Sequence, residues 1–256
     1  MRAVSLTVFV AIFSALFCLS DTVAGQSNPK VEELISLHDL GTTVSIGHYY
    51  LKQESLVSIR SYLGQVGHDE RLGDRWQPDD RWWQKAEQAL LATMMDDIDR
   101  DFSDLAWLRP GWAELFANTF SDEEIAALVS HFRTETGGKQ VQIIDHTVST
   151  QVMMTLSFAG KLSPMPGIEE DRARMQALWN EEDERMRFSI QGAANGEGQA
   201  FALSPLGKRY FTTVILNLTG MVNQRMDEIA VQRVDEVRLH GDSVRPFVEG
   251  FKRDSA

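Results

Sequence analysis

Apolar positions recur three and four residues apart along nearly the whole chain after residue 28, and no long run of β-branched residues stands between turn signals. This pattern predicts an all-α protein, a helical bundle of about seven helices built from antiparallel helical hairpins. Asn28 followed by Pro29 reads as a cap and first helical position for a helix to about Leu40. A second helix is expected from about Thr43 to Leu63. The segment Gly64 to Asp80, with three glycines and Pro78 among charges, reads as the longest irregular connection. From Arg81 the stripe Trp83, Ala86, Leu90, Met94, Ile98 and Phe102 places one apolar face toward a core.

Arg109-Pro110-Gly111 breaks the chain before a short helix carrying Trp112, Leu115, Phe116 and Phe120. Ser121 then opens the clearest helix start in the sequence. Its hydroxyl can cap free amides while Glu124 reaches back, and Ile125, Leu128, Val129 and Phe132 follow as the inward stripe. A further helix begins near Thr136 and turns Val141, Ile144, Val148, Val152 and Leu156 inward. Lys161 to Gly167 marks a turn, and Ile168 to Ala194 a charged helix with a narrow stripe of Met175, Leu178, Trp179, Met186 and Ile190. After a break at Asn195 to Gly198, Ser204-Pro205 opens a long helix to about residue 239. The final residues are polar and are expected to fray. The organisation read from these breaks is a leader over 1–25, a helical hairpin and connection over 26–80, a helical domain over 81–160 and a long-helix hairpin over 161–256.

Phe132 and Gly138-Lys139 share their spacing with Phe201 and Gly207-Lys208, at an offset of 69. In both copies the glycine falls in the first turn of a helix, where a missing side chain lets the preceding helix approach. The residues Ser121, Glu124, Phe132 and Gly138, and then Phe201, Ser204, Pro205 and Gly207, are therefore expected to form structural elbows. Phe120-Ser121-Asp122-Glu123-Glu124-Ile125, then Phe132 and Gly138-Lys139, resemble secreted bacterial proteins of domain of unknown function family 2059, over about residues 112–160. The family continues into Ser-Pro-x-Gly. The first copy here has Glu135-Thr136-Gly137-Gly138 instead, while Ser204-Pro205-Leu206-Gly207 keeps that form without the capped helix before it. The resemblance implies an exported helical domain and carries over no catalytic residue.

The amino terminus changes the picture of where such a bundle would reside. Arg2 precedes an apolar stretch from Ala3 to Leu19 and a small-residue tail, the arrangement of a secretory signal peptide with cleavage before Gly25 or, preferably, before Gln26. A location in the periplasm or outside the cell follows as the expectation, with no stable membrane span after cleavage. Bulky Phe17 before Cys18 argues against a lipidated cysteine. Cys18 is the chain's single cysteine, so its removal leaves no disulfide, thiolate ligand or thiol nucleophile. Across 256 residues, 37 acidic and 25 basic side chains give a net charge of −12. Such a surface repels phosphate backbones, and nucleic acid is not an expected partner.

Individual chemistries meet specific objections. Asp97, Asp99, Asp101 and Ser103 have calcium-loop spacing, but Phe102 replaces the glycine of the sharp turn and Leu108 the closing glutamate. Gly138-Lys139 lacks the first glycine and the hydroxyl residue of a phosphate loop. The six histidines show no metal-binding helical pair. His146 and Ser149 could share a helix face, but Asp145 points away from it. Five tryptophans crowd into 76–112, and Trp76 and Trp82, set among charges, are the candidates for stacking on a partner. No cofactor or metal is implied. The reading is an exported, noncatalytic envelope protein that binds a protein or peptide. The alternative is an envelope hydrolase using carboxylates brought together by the fold.

Overall fold

Caps and apolar stripes set the helix ends in the computed structural model, which describes residues 28–103, 105–162, 164–193 and 196–255. The expected signal peptide and its cleavage positions at Gly25 and Gln26 lie outside the described residues. The described residues form helices joined by short turns, and no strand occurs among them. In chain order these are α1 (Pro29–Ser36), α2 (Gly41–Asp69), α3 (Arg81–Ile98), α4 (Leu108–Thr119), α5 (Asp122–Phe132), α6 (Glu135–Phe158), α7 (Glu169–Ala193), α8 (Gly196–Leu203), α9 (Pro205–Leu239) and α10 (Arg245–Ser255). There are more helices than the seven expected. The excess comes from short helices such as α8 and α10, where the sequence pattern predicts a break and a frayed end.

α2, α6 and α9 pack on one another and carry most of the core. Ile46, Tyr50 and Leu51 of α2 meet Val141, Ile144, Val148 and Val152 of α6, and the α9 seam of Tyr210, Val214, Leu218, Val222, Met226 and Ile229. Each such aliphatic side chain contributes about 1.5–3 kcal/mol by leaving water. Phe116, Phe120, Ile125 and Phe132 from α4 and α5 close one end of this cluster. A second cluster forms where α3 packs on the later part of α2. It joins Ile59, Leu63, Trp83, Leu90 and Met94 to Val237 of α9 and to Val248 and Phe251 of α10. The carboxy-terminal residues are thus a docked amphipathic helix rather than a frayed end. α2 also outruns its expected stop at Leu63, since the amide of Glu70 still bonds the carbonyl of Val66.

The capping box forms as the sequence predicts. Ser121 Oγ accepts the Glu124 amide at 3.3 Å, and Glu124 Oε2 accepts the Ser121 amide at 3.0 Å. The same glutamate also pairs with Arg209, which ties the start of α5 to α9. Among the described residues no helix is long and apolar enough to cross a membrane.

Candidate binding groove at the paired elbows

The two elbows are built alike, but not around the residues that spacing alone selects. Thr134 caps α6, its Oγ1 accepting the Gly137 amide at 3.0 Å and donating to the His131 carbonyl at 2.7 Å. Ser204 caps α9 in the same way, accepting from Gly207 at 3.0 Å and donating to the Phe201 carbonyl at 2.7 Å. A Cβ on Gly137 would fall onto the His131 carbonyl, and one on Gly207 onto that of Phe201. At Gly138 the nearest atom to such a Cβ is 3.9 Å away. The close approach in the first elbow therefore belongs to Gly137, and the structural offset is 70 rather than 69. Phe132 does not occupy the position of Phe201. It packs edge-on against that ring at 5.5 Å and lies against Tyr210 at 4.8 Å. Pro205 takes the first turn of α9, where its missing amide costs nothing.

The elbows meet each other. His131 stacks on Phe201 with ring centroids 3.6 Å apart. Gln140 Oε1 lies 2.7 Å from His131 Nε2, which fixes that nitrogen as the protonated one, and Gln140 Nε2 donates to the Gly198 carbonyl at 2.8 Å. Beside this junction opens a groove of about 460 Å³. Its walls are Ile143 and Ile144 of α6, Ile190 and Ala193 of α7, Gln199 and Ala202 of α8, and Phe211 and Ile215 of α9. None of the described residues lining it is charged. Ile190 on its rim is 47% exposed. A groove with apolar walls, the Gln140 amide at one end and an open mouth can seat an apolar group and offers no acid, base or nucleophile to transform one. No family model, curated protein or solved structure matches the chain.

Trp76 and Trp82, the candidates for stacking on a partner, differ in their burial. Trp76 is only 5% exposed, donates its indole N–H to the Leu63 carbonyl at 2.9 Å and packs against Trp83 and Phe251. Gly67 makes the seat for its ring, since a Cβ there would strike the indole. Trp82 is half-buried over Gly250, flanked by Arg81 and Lys85, and donates to Asp254 at 2.8 Å. Trp76 is a core residue, because the charges around it in sequence belong to the outer side of its loop.

The acidic run also finds a use that spacing could not reveal. Asp97 and Asp101, with Glu236, surround the guanidinium of Arg233, whose side chain is fully buried in α9. Burial opposes ionisation of Asp101, but Arg100 and Arg233 together hold its carboxyl below the usual range. These carboxylates stand as counter-ions to the buried guanidinium. A second buried network joins Tyr210 to His38 Nε2 at 2.7 Å and His38 Nδ1 to Asp145 at 2.5 Å, while Asp145 also accepts the Asp39 amide. It anchors the α1–α2 turn to α6 and α9, and burial pushes the Tyr210 hydroxyl pKa well up. Ser149 bonds Thr43 and the Asp145 carbonyl, while His146 lies against Trp179. Among the described residues no group of three or more His, Cys, Asp or Glu could hold a metal ion.

Sequence reasoning missed Gln140, Gly137 and Arg233. Gly137 had a readable signal, because Thr134-x-x-Gly137 repeats the cap-to-glycine spacing of Ser204-x-x-Gly207. Gln140 and Arg233 had none, since their roles depend on partners distant in sequence.

Proposed function

We propose that this chain is an exported helical protein of the bacterial envelope that binds a protein or peptide partner by seating an apolar segment in the groove beside the paired elbows. The observation that carries this reading is the uncharged wall of Ile143, Ala202, Phe211 and Ile215, open to solvent along the exposed Ile190. Its volume of about 460 Å³ lies in the range of pockets that enclose a ligand or a few anchoring side chains. Export rests on the charge, apolar run and small-residue tail of residues 1–25. The resemblance to domain of unknown function family 2059 belongs to the same proposal, as do a hairpin arrangement of consecutive helices and an origin of the two elbows by duplication. Those last two readings are supported by packing between consecutive α5 and α6, and between α8 and α9, and by the matched caps.

Selection from a random peptide library against the purified protein tests the binding reading. Peptides with apolar residues at helical spacing should be enriched and should lose binding to Ala202→Trp, which fills the groove, while the variant's melting temperature stays near that of the parent. Enrichment of charged peptides, or binding indifferent to Ala202→Trp, contradicts it.

A further inference from the structure

A second cleft, independent of the groove, lies where α7 passes α2 and the turn after α3. It encloses about 400 Å³ and holds His48, Ser103, Asp99 and Lys52 together with the apolar Met95 and Met175. The backbone that builds it is unusual. α3 widens into a π-helical turn over Asp99–Ser103, a form often found at functional positions, and Leu105 just beyond it takes a left-handed φ of 46°. Phe102 is driven into the core against Gly47, where a Cβ would collide with its ring. Trp107 stacks on Phe102 at 5.8 Å and donates to its carbonyl at 3.0 Å. With Phe102 locked beside Gly47, the next residue of the turn meets the next residue of α2. Ser103 Oγ lies 2.5 Å from His48 Nε2, and Asp99 Oδ1 lies 3.3 Å from the same nitrogen.

We infer that Ser103 is a nucleophile and His48 its general base, and that the cleft accepts the acyl part of a small carboxylic ester against Met95 and Met175. Nucleophile and base already stand within proton-transfer distance. Burial holds His48 below its ordinary pKa against the opposing charge of Asp99, and the tautomer protonated at Nδ1 presents Nε2 to Ser103 as the acceptor. As Ser103 Oγ bonds to the ester carbonyl carbon, its proton passes to His48 Nε2 and the carbonyl π pair moves onto oxygen. The imidazolium then faces Asp99. Collapse of the adduct breaks the bond to the alcohol, which leaves with the proton from Nε2, and an acyl group remains on Ser103. Water deprotonated by the same nitrogen attacks that acyl group, releases the acid and restores the serine. This departs from the noncatalytic expectation, which had no means of pairing residues 55 positions apart.

The purified protein should be treated with a fluorophosphonate probe, with peptide mapping by mass spectrometry, and assayed separately with p-nitrophenyl butyrate. One adduct on Ser103 is expected, with ester turnover lost in Ser103→Ala and acylation slowed about a hundredfold in His48→Gln. Ser103→Cys, which keeps the side-chain shape, should react with a thiol alkylator faster than the same variant carrying His48→Gln. Absence of an adduct at Ser103, or rates indifferent to His48, overturns the inference and leaves the pair a structural hydrogen bond.

Discussion

The imidazole of His131 lies face to face with the ring of Phe201, 3.6 Å between centroids and 15° from parallel, although 70 residues separate them in sequence. Each is the residue whose carbonyl receives the hydroxyl of a helix cap and lies under a glycine of the next helix. The stack therefore joins equivalent points of two elbows and fixes one end of the groove through Gln140 and Gly198.

Substitution at the glycines separates the elbow residue from its neighbour. Gly137→Ala and Gly207→Ala force a methyl into backbone and should each destabilise the fold by about 1–3 kcal/mol. Gly138→Ala adds a methyl at ordinary van der Waals distance from its nearest neighbour within a helix and should be neutral or stabilising by about 0.5–1 kcal/mol. Urea midpoints of the three variants check both directions.

The tryptophans should behave unequally. Trp76→Ala empties a core position and breaks a buried hydrogen bond, and should cost about 3–5 kcal/mol. Trp82→Ala, at a half-buried position, should cost less than half as much. Equal thermal shifts for the two would contradict the placement of Trp76 in the second cluster.

Arg233→Met leaves Asp97, Asp101 and Glu236 without their central cation and should destabilise by about 3 kcal/mol at neutral pH. The pH dependence has a definite sign. Asp101 is held below its unfolded pKa, so its contribution is present above about pH 4 and is lost as pH falls through the lower folded value. Chemical denaturation across the acid limb should show this loss in the parent and a flatter curve in Arg233→Met.

What local chemistry dictates was legible in the sequence. The Ser121 and Glu124 capping box, the Trp83 to Phe102 stripe and the Ser204-Pro205 start of α9 all follow from residues within one or two turns of each other. The docked α10 was missed because Val248 and Phe251 look isolated until Trp76 and Trp83 supply a surface for them. The acidic run at Asp97 to Asp101 resembled a failed metal loop because its buried cation, Arg233, sits on a helix more than 130 residues later. Of the groove, the sequence showed the elbows on which it is mounted. Its walls come from four helices, and only packing brings Ile143 to Phe211.

Two histidines give a second pH signature. Burial lowers the pKa of His146 against the opposing charges of Glu182 and Asp183, and it lowers that of His48 against Asp99. A depressed folded value means stability is full above the unfolded value of about 6.5 and declines as pH falls through the folded ones. Melting temperatures between pH 7.5 and 5.5 should fall in the parent and change less in a His48→Gln, His146→Gln double variant.

The most direct measurement places a photo-crosslinking amino acid at Ile190, on the rim of the groove, in the protein expressed in its native cells. Irradiation should yield a discrete adduct whose partner peptide is apolar at the crosslinked site, and Ile215→Glu should abolish it without lowering the amount of folded protein. An adduct that persists in Ile215→Glu, or no adduct at Ile190 while control positions on the charged outer face of α7 give one, would contradict binding through the groove.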